Sequence, residues 1–142
     1  FRYRTKDISR LHYEPCKCGR TQARMEKVVG RTDDMLIIKG VNVFPSQIEG
    51  VLFTTPQIGP HYQLVLRKER FMDTLEVRVE PIDGALLEHY GALEALEGSI
   101  RAKLRSVLGV DCRVTLVQPR SLARFEGKAK RILDLRNAKE EG

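Results

Sequence analysis

Short apolar runs separated by turn residues fill the middle of the chain. Residues 35–38 (MLII) and 41–44 (VNVF) are two such runs, with Lys39-Gly40 between them. A two-residue connection containing glycine predicts a tight hairpin. Pro45-Ser46 then opens a helix through residue 54 in which Ile48, Val51 and Leu52 share one face. Thr55-Pro56 breaks it. Residues 62–67 (YQLVLR) and 75–79 (LEVRV) alternate apolar with polar, and residues 71–73 between them supply the turn, so they predict an antiparallel pair with one apolar face.

From residue 85 to 108 the period changes. Leu86, Tyr90, Leu93, Leu96, Ile100, Leu104 and Val107 recur in steps of three and four, a helix stripe, with Gly91 and Gly98 weakening its first turns. Gly109 ends it, and residues 112–117 form the next strand. Hairpin, helix, strand, strand, helix, strand predicts a compact α+β unit: a three-stranded antiparallel sheet with both helices on one face. Before it, residues 1–10 read as a strand with Asp7 near its exit, followed by a turn at 12–20 and an extended segment at 21–29 leading to Gly30. After it, residues 132–136 predict a last strand or turn, and 137–142 a charged tail.

Composition adds bounds. With 142 residues, 42% hydrophobic and 31% charged, the chain is one folded domain, with a short piece of another, and not a disordered segment. No apolar run reaches membrane-spanning length. The start, Phe-Arg-Tyr, is already strand-like and reads as cut from a longer protein. The net charge of +6 invites a nucleic-acid reading, but the basic residues are scattered and aromatics few, with no zinc-finger, RNA-recognition or helix-turn-helix signature. Much of the excess lies in residues 101–131, which suits a phosphorylated small molecule better.

Three cysteines make an odd count. Cys16 and Cys18, one residue apart, are poorly spaced for a structural disulfide, which favours reduced thiols and a cytoplasmic setting. They are also a candidate half of a Zn2+ site, with only His12 and distant Cys112 as further ligands in this chain. His61 and His89 have no neighbours arranged for metal or nucleophile chemistry.

Three segments carry a family resemblance. Residues 30–49, GRTDDMLIIKGVNVFPSQIE, resemble the hinge motif of the adenylate-forming acyl-CoA ligases, and NVFPSQIE resembles their phenylacetate–CoA ligase branch. Tyr3-Arg4-Thr5-Lys6-Asp7 resembles the motif that closes the large domain of these enzymes. Glu126-Gly127-Lys128 resembles their C-terminal lysine motif, although Phe125 stands where relatives often have a small polar residue. The resemblance implies residues 1–30 as the end of a larger adenylation domain, 31–34 as hinge, 35–136 as a small lid domain and 137–142 as tail.

It also implies roles. Asp7 would hold the ribose hydroxyls of ATP or AMP and Arg31 the nucleotide sugar, while Asp33 would be the pivot. Lys39, Gly40, Val41 and Asn42 would line the channel for coenzyme A, and Lys128 would serve adenylation. Mg2+ would be held mainly by the missing large domain. The partners implied are ATP, coenzyme A, an aromatic carboxylic acid and the chain's own large domain, in a parent that is a candidate homodimer, with no nucleic acid and no membrane. The readings left beside it are a stand-alone small-molecule-binding regulatory module and a related adenylating enzyme with another acid.

Overall fold

The computed structural model describes residues 5–28, 30–31, 34–124 and 131–137. Its centre is a four-stranded sheet. β7 (Ile58–Glu69) and β8 (Met72–Pro81) form a long antiparallel hairpin. β9 (Arg113–Leu116) lies parallel to β8, and β10 (Ile132–Asp134) lies parallel to β7, giving the order β10-β7-β8-β9. The expected three-stranded antiparallel sheet is thus corrected to a mixed sheet of four, while the α+β class holds. The physical reason is the connection: a strand that follows a crossover helix re-enters alongside its predecessor in the same direction. The last strand or turn expected over 132–136 is β10, three residues long, and what no local pattern announces is its pairing with a strand more than sixty residues earlier.

Before the sheet, β1 (Asp7–Ile8) pairs with β4 (Gly30–Arg31), β2 (Leu11–His12) with β3 (Arg24–Met25), and β5 (Leu36–Ile38) with β6 (Val41–Val43), each antiparallel. Among the described residues the strand expected over 1–10 is limited to β1, and the extended segment expected over 21–29 contains the two-residue β3. The β5–β6 turn places Lys39 at φ 51 and Gly40 at φ 78, the two consecutive left-handed residues that match the twist of a two-residue hairpin.

α1 (Pro45–Phe53) begins with Pro45 at its first position, where the missing N–H is no loss. The Gln47 side-chain oxygen accepts the Phe44 N–H at 3.1 Å. The predicted helix over 85–108 divides into a 3-10 turn (Gly84–Glu88) and α2 (Tyr90–Leu108), which Gly109 closes at φ 72. The turn of the central hairpin is made by Arg70 and Phe71, both at positive φ, so Met72 belongs to β8.

Alternation and register decide where the core sits. Leu64 faces Val77, Leu66 faces Leu75, and Val77 and Val79 face Val114 and Leu116 on the next strand. All are buried against Ile48 and Leu52 of α1 and Ile100 and Leu104 of α2, with Ile38 and Val43 closing one end. Leu104 is fully buried, so Leu104→Ala is expected to destabilise the domain by about 2–5 kcal/mol, read as a lower urea midpoint at unchanged slope. The other sheet face is mainly polar, with Val65 buried on it. There Glu76 accepts from Arg78 at 3.2 Å and Thr115 at 3.0 Å. Burial works to raise its carboxyl, but these bonds and the Arg78 and Arg67 charges outweigh it, and the net shift is downward. Among the described residues no helix is long and apolar enough to cross a membrane.

Candidate functional site

The β1–β4 pair does one thing for chemistry: its register sets Asp7 directly opposite Arg31. The two residues singled out for a nucleotide sugar, twenty-four apart in sequence, therefore meet. Both line a cleft of about 320 Å3 whose other walls include Asp34, Glu49, Tyr62 and Arg131. An ionised carboxylate opposite a planar guanidinium offers acceptors and donors together, a pairing suited to a ribose diol beside a phosphate.

Glu49, Tyr62 and Arg131 form the far wall. Glu49 lies on α1, Tyr62 on β7, and Arg131 immediately before β10. The Tyr62 hydroxyl donates to Glu49 Oε1, and Arg131 Nη1 donates to the same oxygen at 3.1 Å. The Arg131 guanidinium also lies over the Tyr62 ring, 5.1 Å from its centroid. Burial and then the Glu49 hydrogen bond push the Tyr62 hydroxyl up to about 12, with Arg131 opposing them in part. Tyr62 thus stays a neutral donor throughout the neutral pH range. No short motif announces this trio, because its members are 13 and 82 residues apart along the chain.

The sheet has two differently built ends. Tyr62 and Glu80 stand where β7 begins and β8 finishes, and the Arg70-Phe71 turn stands at the opposite end. From Tyr62 to Glu69 the strand covers about 23 Å at roughly 3.3 Å per residue. At the Tyr62 end, Glu80 accepts from the Leu122 N–H and from Arg124, each at 2.8 Å. At the turn end, Lys39 borders a groove of about 610 Å3 together with Arg67, Glu69, Arg101 and Arg113. Arg136 ties the β5–β6 hairpin down there: it donates to the Ile37 carbonyl at 3.0 Å and pairs with Asp73 at 3.5 Å.

The predicted residues therefore sort into places. Asp7 and Arg31 share the cleft, while Lys39, Gly40, Val41 and Asn42 form the hairpin at the other end of the sheet. Asp33 and Lys128 lie outside the described residues. The chain on either side of Lys128 is described: Arg124 is held by Glu80 and Arg131 by Glu49.

Among the described residues Cys16, Cys18 and Cys112 are not joined by further ligands into a metal centre. Cys16 Sγ receives Arg24 at 3.8 Å, and His12 Nε2 is engaged by Glu26 at 2.6 Å. Cys112 is buried, and burial pushes its thiol up to about 11. Among the described residues no group of three or more His, Cys, Asp or Glu side chains could hold an ion. Two thiols do not meet the four-ligand demand of structural zinc. The Cys16 side chain and the Arg20 backbone hold the exposed Cys18 thiol below its ordinary value.

A family model described as the AMP-binding enzyme C-terminal domain matches residues 40–136. The chain is 44% identical over 148 residues to the phenylacetate-coenzyme A ligase of Thermus thermophilus, a match covering 95% of this chain and 33% of that protein. The chain thus spans about a third of the length of the curated relative. Among solved structures, 2-hydroxyisobutyryl-CoA ligase in the postadenylation state with R3-HIB-AMP superposes with a TM-score of 0.73 at 35% identity, covering 92% of this chain and 28% of that one. The same ligase with 2-HIB-AMP and CoA in the thioesterification state superposes at 0.67 and 32% identity, covering 94% and 28%.

Proposed function

The chain belongs to the AMP-binding enzyme C-terminal domain family, and from that premise we propose that it is the swinging small domain of an ATP-dependent acid–thiol ligase acting on an aromatic acid, with phenylacetate as the substrate its relatives favour. In the first half-reaction the acid's carboxylate oxygen attacks the α-phosphorus of MgATP; the new oxygen–phosphorus bond gives the acyl-adenylate, and pyrophosphate leaves. In the second, the thiol sulfur of coenzyme A bonds to the acyl carbon, the carbon–oxygen bond to AMP breaks, and the thioester and AMP are released.

The observation that carries the proposal is the two-ended sheet. One end presents Asp7, Arg31 and the stems of the lysine loop; the other presents the Lys39-Gly40 hairpin. A single active site that must meet both ends in turn requires the domain to rotate. Residues 31–34 are the proposed hinge with Asp33 as pivot, since a hinge must absorb a change of backbone angles and a small polar residue suits that task. Asp7 accepts from the ribose diol and Arg31 donates to sugar oxygens. Lys128 steadies the charge that shifts between carboxylate and α-phosphate during adenylation. Residues 39–42 then border the thiol's path, where a glycine lets backbone approach closely.

Residues 1–30 close the larger adenylation domain on this reading, 35–136 form the swinging unit and 137–142 the tail. Mg2+ enters on ATP, with its protein ligands sought outside this chain. The larger domain is the obligatory partner. A homodimeric parent and a cytoplasmic location complete the proposal.

The test uses the full-length protein. Pyrophosphate exchange across a panel of carboxylic acids is expected to select arylacetic acids; exchange with none of them sinks the proposal. Asp7→Ala is expected to raise the ATP KM by roughly 10- to 100-fold, the cost of losing a charge-assisted pair of hydrogen bonds. An unchanged ATP KM removes Asp7 from the site.

A further inference from the structure

We propose that Glu80 is a positioning residue for adenylation, a buried carboxylate that fixes the incoming stem of the lysine loop. The inference rests on the role given to Lys128 above.

Glu80 and Thr55 are the buried polar residues among those described, and Glu80 is 3% exposed. It sits near the end of β8 and, by alternation with Val79, points away from the helices. Neither of its oxygens is spent on the sheet that carries it. Oε1 accepts the Leu122 N–H and Oε2 accepts Arg124 Nη2, both at 2.8 Å and both from a segment 42 and 44 residues further on. Burial works to raise this carboxyl, but the backbone N–H groups of Leu122 and Arg120 and the Arg124 guanidinium outweigh it, so the group stays ionised.

A buried charge is an expensive way to hold a loop if stability is all that is needed, since an apolar side chain of the same volume serves a fold as well or better. What a carboxylate adds is direction. Two fixed acceptors set both the path of the backbone at Leu122 and the azimuth of Arg124. The outgoing stem is held from the same end of the sheet: Glu49 and the Tyr62 ring hold the Arg131 side chain, and the Arg131 carbonyl accepts the Leu64 N–H at 2.7 Å.

The consequence is metric. At roughly 3.5 Å per residue, covalent reach keeps the Cα of residue 128 within about 14 Å of that of Arg124 and about 10 Å of that of Arg131. Two anchored stems together bound where the backbone of residue 128 can lie, and releasing one removes half of that bound. A catalytic group displaced by about 1 Å can lose about 100-fold in rate. The second half-reaction, performed with the other end of the sheet, is indifferent to this anchoring.

In the full-length enzyme, Glu80→Gln keeps the size and one acceptor oxygen but gives up the charge facing Arg124. It is expected to lower the rate of pyrophosphate exchange by about 30-fold with ATP KM within about twofold. Thioester formation from supplied acyl-adenylate and coenzyme A stays within about twofold of the parent. Arg124→Ala, a substitution at a side chain that is 42% exposed, is expected to give the same split, and it decides the matter if Glu80→Gln fails to fold. Unchanged exchange in both variants overturns the proposal, and so does an equal fall in the two half-reactions, which marks a merely structural carboxylate. A Lys128→Ala enzyme that keeps full pyrophosphate exchange brings down the parent reading instead, and this inference with it.

Discussion

Lys128→Ala in the full-length enzyme is expected to lower acyl-adenylate formation by about 1,000-fold while leaving most of the thioester-forming half-reaction intact. The magnitude follows from the chemistry. Negative charge is redistributed between the acid's carboxylate and the α-phosphate, and a single donor aimed at such developing charge is worth about 100- to 1,000-fold in a site that excludes water. An ammonium, carrying full charge, belongs at the upper end. The half-reactions are separated by pyrophosphate exchange on one side and by supplying synthetic acyl-adenylate with coenzyme A on the other. Equal losses in both contradict a lysine that leaves the site between the two steps. Loss confined to thioester formation contradicts the assignment of ends, since it puts residue 128 on the coenzyme A side.

Much of this domain was legible in the sequence wherever the signal is local. The β5–β6 hairpin is written in two apolar runs around Lys39-Gly40, and the structure supplies the two positive φ angles such a turn demands. The stripe from Leu93 to Leu104 is a helix because its spacing permits little else, and Gly109 stops it in the left-handed region. Strand direction is another matter. Nothing within residues 113–116 says whether β9 runs with or against β8; that depends on how far α2 carries the chain back along the sheet. β10 is shorter still, and its pairing with β7 draws on residues that only the finished fold brings near.

The site divides in the same way. Asp7 and Arg31 could be named from segments that resemble a known family, and the β1–β4 register makes them cross-strand partners. Tyr62, Glu80 and Arg131 carry no such mark, and Glu49, although it closes the segment 30–49, was given no role from it. Each looks, in its own segment, like an ordinary polar residue of a helix or strand. Glu80 in particular occupies the outward position of an alternating strand, where a solvated carboxylate is the usual expectation. Its burial is caused by residues 122–124 folding across it. Long-range contacts of this kind are invisible to periodicity.

Gly40 gives the second large effect, and it reads the opposite end of the domain. Its φ of 78 lies in the left-handed region, so any other residue there carries roughly 1–2 kcal/mol of backbone strain. Within this chain a Cβ at Gly40 would meet nothing closer than 4 Å. Alanine and leucine at this position therefore share the same backbone cost, and the Cβ of each enters open space. They differ only in how far they project toward whatever the hairpin faces outside it. If residues 39–42 border a narrow passage for the pantetheine arm, Gly40→Ala is expected to slow thioester formation modestly, by about threefold, and Gly40→Leu by about 100-fold. Pyrophosphate exchange stays within about twofold for both, because adenylation uses the other end of the sheet. Two variants with the same melting temperature but a steep size dependence in one half-reaction locate a surface that this chain does not contain. Equal rates for alanine and leucine exclude a close approach at the hairpin and move the thiol's path elsewhere.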